Sequence, residues 1–176
     1  MHQAMLPNDP HMYNHFASQI VLMPQLKIPR VENISKRINY VNSVDPKKIF
    51  VMMGINDLQG NKNPIQIKQN YKEVITELRN KNPNAQIYIQ SIFHVNKDKY
   101  PLYFGKDAKQ LNMEIDNLNK DIEDLSSKIN NVYWINNTDI FGVSNQLPSK
   151  YTIDGLHLNK KGYELWIKNL NRYIYR

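Results

Sequence analysis

A short apolar run, residues 49–53, ends abruptly at Gly54 and is the feature that most constrains how this chain can fold. The run is too short for a buried helix of ordinary length, and Pro46 lies just before it, so it predicts a strand covered on both faces. Such a strand belongs near the centre of a parallel sheet. Gly54 opens backbone conformations that other residues avoid. Asn56 and Asp57 then lie just past the carboxyl end of the strand, where open α/β sheets place their ligands.

Apolar residues elsewhere recur with the periods of strands and helices. Further strands are predicted at residues 20–23, 87–93 and 132–135. The segments between and after them carry apolar residues at helical spacing, namely Val31, Ile34, Ile38 and Val41; Ile67, Tyr71, Val74, Ile75 and Leu78; Leu111, Ile115, Leu118, Ile122, Leu125 and Ile129; and Tyr163, Trp166, Ile167, Leu170 and Ile174. Strands that alternate with helices predict a single α/β domain, with a mostly parallel sheet and helices on both faces. We place this domain at residues 20–176, after an N-terminal arm and short helix at residues 1–19.

A second polar cluster lies near the other end of the chain. Asp154 and His157 are three residues apart in a predicted turn, a spacing that lets a carboxylate orient an imidazole and stabilise its protonated form, as general-base catalysis requires. Asn56, in the first cluster, can donate its amide to a developing negative charge. Each cluster also has a simpler interpretation, because Gly, Asn and Asp serve turn geometry and a histidine can be an idle surface residue.

Taken together, the two clusters resemble a known pair of motifs. Gly54-Ile55-Asn56-Asp57 and Asp154-Gly155-Leu156-His157 are similar to the third and last sequence blocks of the SGNH, or GDSL, hydrolase superfamily, in the same order and with a similar separation. The resemblance extends from about Ile20 to the C-terminus. It implies a three-layer domain with a flavodoxin-like sheet, and the hydrolysis of esters as the activity.

The resemblance also implies roles for individual residues. In the pattern of the superfamily, Asn56 is an oxyanion donor, Gly54 is a backbone element of the same motif, His157 is the general base and Asp154 is its orienting carboxylate. No metal or organic cofactor is implied, because serine-ester chemistry uses only proton transfer and oxyanion stabilisation. The implied substrate is a small ester or an acetylated carbohydrate.

Two blocks of the superfamily's pattern do not occur in this sequence. No Gly-Asp-Ser nucleophile motif is present, and the loop at residues 24–30 contains no glycine. The nucleophile strand of the superfamily lies beside the strand that ends at Gly54, so we expect an unpaired apolar edge there, covered by residues 1–10, by a second copy of the chain or by a partner. Ser91 and His94 end a predicted strand at the same sheet edge and are candidate pocket residues, although a strand serine is more often packed than nucleophilic.

Charge and composition argue against several other classes of protein. The 176-residue chain has a net charge of +7, but its Lys and Arg residues are dispersed and form no dense basic block, so nucleic-acid binding is not expected. The absence of cysteine excludes disulfides and thiolate metal sites. No segment approaches a membrane span, and no signal pattern follows Met1, which favours a cytoplasmic location.

Two functions stay open from the sequence. The first is an SGNH-type esterase or acylhydrolase, or a carbohydrate O-acetyl esterase or transferase, that uses Asn56, Asp154 and His157. The second is a non-catalytic descendant whose pocket binds a ligand or a protein. The missing Gly-Asp-Ser motif favours the second function and predicts little or no esterase activity, whereas the intact last block favours the first.

Overall fold

The protein folds as a four-stranded parallel sheet with helices on both faces, in a computed structural model that describes residues 19–22, 38–39, 41, 43, 45–101, 106–142 and 145–175. The strands are β1 (Gln19–Leu22), β2 (Lys48–Val51), β3 (Gln86–Gln90) and β4 (Val132–Ile135), in the spatial order β1-β2-β3-β4. The helices are α1 (Ile55–Gln59), α2 (Pro64–Lys81), α3 (Ala108–Ser126) and α4 (Lys160–Ile174), with short 3-10 helices at Thr138–Phe141 and Ser149–Tyr151. The predicted α/β class with a parallel sheet is confirmed.

The two inner strands send alternate side chains to opposite faces of the sheet, so two separate cores form. Ile49 and Val51 of β2 pack with the buried residues of α2 and α3, whereas Phe50 packs with those of α4. Strand β3 follows the same alternation, with Ile89 on the first face and Tyr88 on the second. Burial on both faces explains why both strands are almost continuously apolar.

Most of the apolar positions predicted from helical spacing are buried in the three long helices, although Leu125, Tyr163 and Ile167 are half-buried and Ile129 lies just beyond α3. Val31 and Ile34, from the first predicted helix, lie outside the described residues. All of the predicted α2 positions are buried, as are Leu111, Ile115, Leu118 and Ile122 of α3 and Trp166, Leu170 and Ile174 of α4. Each helix begins at a polar cap, because the side chains of Asn63, Asp107 and Asn159 accept backbone N–H groups of the first turn. No helix within the described ranges is both long and apolar enough to cross a membrane.

The gap expected beside β2 is closed by β1. The two strands pair in parallel along the whole of β2, from Gln19 opposite Lys48 to Leu22 opposite Val51. The expectation of an unpaired edge on the strand that leads to Gly54 is therefore wrong. A flavodoxin-like sheet has the strand order 2-1-3-4-5, so its first strand lies between its second and third strands. Without that first strand, the remaining strands follow one another in sequential order. Direct pairing of the two strands that would have flanked it satisfies their exposed backbone groups. Residues 1–10, which we expected to cover this edge, lie outside the described residues.

Candidate active site

Gly54 makes the sharp turn from β2 into α1. Its φ of 109° lies in the left-handed region that favours glycine. A Cβ atom at this position would lie 3.0 Å from Ile92 Cδ1 and 3.1 Å from Leu118 Cδ2, so the surrounding side chains leave little room for one. Because helix α1 begins immediately after Gly54, Asn56 lies in its first turn.

The end of β2 is anchored by a buried tyrosine of α2. Tyr71 Oη donates to the Met53 carbonyl oxygen at 2.8 Å and accepts the Met53 N–H at 3.1 Å. Burial raises the pKa of Tyr71 well above its ordinary value, so the hydroxyl remains protonated and able to donate. Asp57 forms a 2.6 Å ion pair with Lys62 and stands outside the cavity described below. Of the two polar residues in this motif, only Asn56 reaches that cavity.

Asp154 and His157 form a hydrogen-bonded pair in the turn before α4. Asp154 Oδ2 lies 2.7 Å from His157 Nδ1, within the range expected for an oriented general base. Asp154 Oδ1 accepts the backbone N–H groups of His157 at 2.8 Å and of Leu156 at 3.0 Å. The side chain of His157 is 61% exposed, and no described residue bonds its Nε2. This nitrogen is therefore available to take a proton from a bound molecule.

The turn that carries His157 is held from within and from outside. Within the turn, Thr152 Oγ1 donates to the His157 carbonyl oxygen at 2.8 Å and accepts the Gly155 N–H at 2.9 Å. From outside, the Asn96 N–H donates to the Gly155 carbonyl oxygen at 2.7 Å. Gly155 has a φ of 90°, and a Cβ atom there would overlap the backbone of Tyr100. The glycine of this motif is thus required by close packing as well as by turn geometry.

Hydrogen bonds hold Asp154 in its ionised form. Burial by itself would raise the pKa of Asp154, but the hydrogen bonds from the backbone and ring of His157 and from the Leu156 N–H outweigh burial and lower the pKa below its ordinary value of 3.8. A carboxylate stabilises positive charge on an imidazole that it contacts. The pair is therefore arranged to accept a proton at Nε2 and to stabilise the imidazolium that results.

His157 and Asn56 line the same cavity, although the two motifs are far apart in the sequence. The other residues that line it are apolar or aromatic: Met52, Met53, Ile55, Ile92, Phe93, Leu156, Leu158, Tyr163 and Trp166. They belong to the connection between β2 and α1, the start of α1, the segment after β3, the turn around His157, and α4. The cavity thus lies at the carboxyl edge of the sheet, where the sequence predicted that the two motifs would meet.

Two buried asparagines of α3 hold the segment that follows β3. Asn119 accepts the Ile92 N–H at 2.8 Å and donates to the Ile92 carbonyl oxygen at 3.0 Å. Asn112, two turns earlier, makes the same two bonds to Val95, at 2.7 and 3.0 Å. Because Ile92 and Phe93 line the cavity, these asparagines position one of its walls. Sequence reasoning identified neither residue; the available signal was their place on the buried side of α3, where an amide needs a partner.

A buried polar network positions Trp166, which forms part of the cavity. Gln90 Oε1 accepts the indole N–H of Trp166 at 2.8 Å and the amide of Asn137 at 3.2 Å. Asn137 Oδ1 in turn accepts from the Asn169 amide at 3.1 Å. Sequence reasoning also missed this network, because its members lie on β3, on α4 and in the loop after β4. The network fixes the indole ring and occupies its one hydrogen-bond donor.

Ser91 and His94 do not line the cavity, in contrast to the expectation from the sequence. Ser91 is 1% exposed, and its Oγ accepts the Asn137 N–H at 2.8 Å. His94 Nε2 lies 2.7 Å from Asp116 Oδ1 on α3. Both side chains are engaged with neighbouring elements, and the residues between them, Ile92 and Phe93, form the wall instead. The position of a residue near the sheet edge therefore did not establish which way its side chain points.

The described residues of the cavity do not include the side chain that usually attacks an ester. No serine, threonine or cysteine is among the residues that line it in the described part of the chain. The described residues also contain no group of three or more histidine, aspartate or glutamate side chains placed to hold a metal ion. The described residues of the cavity therefore bring together an imidazole held by a carboxylate and a side-chain amide, without a serine, threonine or cysteine.

The chain is similar to known proteins both in sequence and in fold. A sequence profile of the GDSL-like Lipase/Acylhydrolase family matches residues 29–165. A GDSL-like lipase from Bacteroides thetaiotaomicron has a TM-score of 0.72 at 19% identity, covering 90% of this chain and 88% of that one. A Streptococcus pneumonia protein, provisionally described as a platelet activating factor, has a TM-score of 0.72 at 21% identity, covering 94% and 90%. An acetyl xylan esterase, AlAXEase, has a TM-score of 0.60 at 17% identity, covering 82% and 76%. No curated protein matches the chain.

Proposed function

Because the chain belongs to the GDSL-like lipase/acylhydrolase family, we propose that its cavity binds a small carboxylic ester and that His157 acts there as a general base in ester hydrolysis. The observation that carries this proposal is the 2.7 Å contact between His157 Nδ1 and Asp154 Oδ2, in a cavity that Asn56 also lines. A base and an oxyanion donor on one apolar cavity are the two groups that acyl transfer needs besides its nucleophile.

The proposed reaction follows from the roles of these groups. The attacking oxygen loses its proton to Nε2 of His157, while Asp154 holds the ring through Nδ1 and stabilises the imidazolium. Attack on the ester carbon places negative charge on the former carbonyl oxygen, and the Asn56 amide donates a hydrogen bond to it. The intermediate then collapses, the carbon–oxygen bond to the alcohol breaks, and His157 returns its proton to the departing alkoxide.

Water is the attacking molecule in this proposal. The sequence contains no Gly-Asp-Ser motif, and the described cavity residues include no serine. Hydrolysis by direct general-base attack of water is far slower than hydrolysis through an activated serine. In subtilisin, loss of the catalytic serine lowers turnover by on the order of a million-fold. We therefore expect the chain by itself to hydrolyse esters at a rate only slightly above that of the buffer.

Hydrolysis of a short-chain nitrophenyl ester tests the proposal. The native chain should show a small rate above buffer, and both His157→Ala and Asn56→Ala should remove it. His94→Ala is the matched control, because His94 also contacts a carboxylate at 2.7 Å but stands outside the cavity. A rate that survives His157→Ala, or that falls equally in His94→Ala, would contradict the proposed site.

Ligand binding without turnover is the second candidate function. The observation that favours it is that the described cavity residues include no serine, threonine or cysteine. It predicts no hydrolysis above buffer in the native chain, together with saturable binding of a non-hydrolysable ester analogue. In the native chain, the Asn56 amide would donate a hydrogen bond to the carbonyl oxygen of the bound molecule. Asn56→Ala removes this bond and should therefore weaken binding.

A further inference from the structure

We propose that Tyr100 is a positioning residue that sets the distance between the Asn56 amide and the His157 imidazole. This inference rests on the proposed function, in which both groups act on one ester, and deepens it by naming the residue that holds them in register. Among the described residues, no hydrogen bond runs directly from α1, which carries Asn56, to the turn at residues 152–158, which carries His157. Both of them contact residues 96–100, which we call the connecting segment.

Helix α1 is too short to fix its own position. It contains five residues, far fewer than an isolated helix needs to be stable. Its last turn is held from outside, because Gln59 Nε2 donates to Tyr100 Oη at 2.9 Å. Lys106 Nζ holds the same turn by donating to the Leu58 carbonyl oxygen at 2.7 Å. Asn56 lies three residues before Gln59, so the bond to Tyr100 acts on the same short helix that carries the amide.

The backbone of the connecting segment packs against the turn that carries His157. The Asn96 N–H donates to the Gly155 carbonyl oxygen at 2.7 Å. The backbone of Tyr100 lies so close to Gly155 that a Cβ atom added to the glycine would come within 2.4 Å of the Tyr100 nitrogen. Gly155 lies between Asp154 and His157, so this contact places the whole turn. Tyr100 thus meets α1 through its hydroxyl and the turn through its backbone.

The connecting segment is braced from within and can therefore pass a displacement from one end to the other. Asn96 is 1% exposed, and its Oδ1 accepts the N–H groups of Asp98 at 3.1 Å and Lys99 at 2.9 Å. The Asn96 carbonyl oxygen accepts the Tyr100 N–H at 3.0 Å. Asn96 Nδ2 also donates to the Leu147 carbonyl oxygen at 2.7 Å, which ties the segment to the loop before the turn.

Amide hydrogen exchange in the full chain, followed by NMR, tests the coupling without reference to any reaction. Gln59→Met removes the donor on α1 at nearly constant volume. It should speed exchange of the Gly155 N–H, which donates to Thr152 Oγ1 inside the turn, by about fivefold, the effect of one lost hydrogen bond. Tyr100→Phe removes the acceptor. It should speed exchange of the same N–H and of the Gly60 N–H, which donates to the Asn56 carbonyl oxygen.

Two references separate this coupling from a general loss of stability. Tyr88→Phe is the matched control, because Tyr88 is 7% exposed against 6% for Tyr100 and its hydroxyl donates to Gln86 Oε1 at 3.3 Å. This variant should leave exchange in α1 and in the turn unchanged. The amides of β3 serve as the internal reference, because only global unfolding would speed their exchange.

Hydrolysis of the nitrophenyl ester supplies the second readout. Tyr100→Phe should lower kcat severalfold, because the amide and the base no longer align on the same carbonyl group. KM should change little, since the residues that line the cavity are all retained. Tyr88→Phe should leave both constants at their native values. A residue that contributed to stability alone would lower neither kcat nor KM in a fully folded sample.

Exchange at Gly155 that Gln59→Met leaves at its native rate would overturn the inference. Unchanged kcat in Tyr100→Phe, in a chain whose hydrolysis depends on His157, would overturn it as well. If hydrolysis stays at background while exchange responds as expected, the proposed catalysis fails and the positioning by Tyr100 stands. If hydrolysis depends on His157 and exchange does not respond, the positioning fails and the proposed catalysis stands.

Discussion

His157 is joined to Asp154 by two hydrogen bonds, one from its ring and one from its backbone. Nδ1 lies 2.7 Å from Oδ2, and the His157 N–H donates to Oδ1 at 2.8 Å. The backbone bond holds the carboxylate in place whether or not the ring is protonated. The imidazole can therefore gain and lose a proton while its partner remains fixed, which suits the role of general base that we propose.

The low pKa of Asp154 predicts a specific pH dependence of stability. A carboxyl group whose pKa is lowered in the folded state stabilises that state above its ordinary pKa of 3.8, and the stabilisation disappears as the pH falls through the lower folded value. Asp154→Asn should therefore lose less stability than the native chain as the pH falls from about 5 to below 3.8, as measured by urea unfolding. Asp98→Asn, a change at an exposed carboxyl group, is the control. An acid response in Asp154→Asn identical to that of the native chain would refute the prediction.

Supplying a nucleophile should reveal the activity of the base. A family-type Gly-Asp-Ser strand added ahead of Met1 should raise nitrophenyl ester turnover well above that of the native chain, because the serine replaces water as the attacking group. The added strand must enter between β1 and β2, whose pairing now closes that position. His157→Ala in the extended chain should abolish the gain. A strand carrying Gly-Asp-Ala is the control, and equal turnover from the two strands would show that the site cannot use a serine.

Gly54 should tolerate a side chain poorly, because both its backbone conformation and its neighbours oppose one. Gly54→Ala introduces left-handed strain of about 1–3 kcal/mol, and its Cβ would also press on Ile92 and Leu118. Gly60→Ala is the control, because Gly60 has an ordinary φ of −77° and its closest neighbour is the Asn56 carbonyl oxygen, 3.2 Å from the added atom. Urea unfolding should show Gly54→Ala to be the less stable of the two variants by at least about 1 kcal/mol. Equal losses would mean that the backbone and the neighbours at Gly54 adjust without cost.

Removal of the Asn119 amide should destabilise the cavity wall. Asn119→Ala leaves the N–H and carbonyl groups of Ile92 without their partner in a buried setting, at about 1–3 kcal/mol for each group. Asn117→Ala makes the same change at an exposed position of α3 and should cost little. The difference in free energy of unfolding between the two variants measures the effect. Similar values would indicate that the Ile92 backbone finds other partners.

The secondary structure and the polar pair were predictable because they depend on local spacing. The buried positions of α2, from Ile67 to Leu78, follow from a period of 3.6 residues. The contact between Asp154 and His157 follows from a separation of three residues within one turn. The meeting of Asn56 with His157 needed only the rule that parallel strands place their carboxyl ends at one edge.

Contacts between distant segments were decided by the tertiary structure alone. Whether Ser91 faced the cavity depended on where the Asn137 N–H came to lie, and that position is set by the pairing of β3 with β4. The pairing of β1 with β2 likewise could not be read from local pattern, since any strand that satisfies the open backbone edge can fill the gap. The asparagines of α3 became part of the cavity wall only when that helix packed beside Ile92 and Val95. A hydrogen bond joins two particular atoms, so its presence depends on where the fold has placed both of them, whereas apolar burial requires only that a residue face the core.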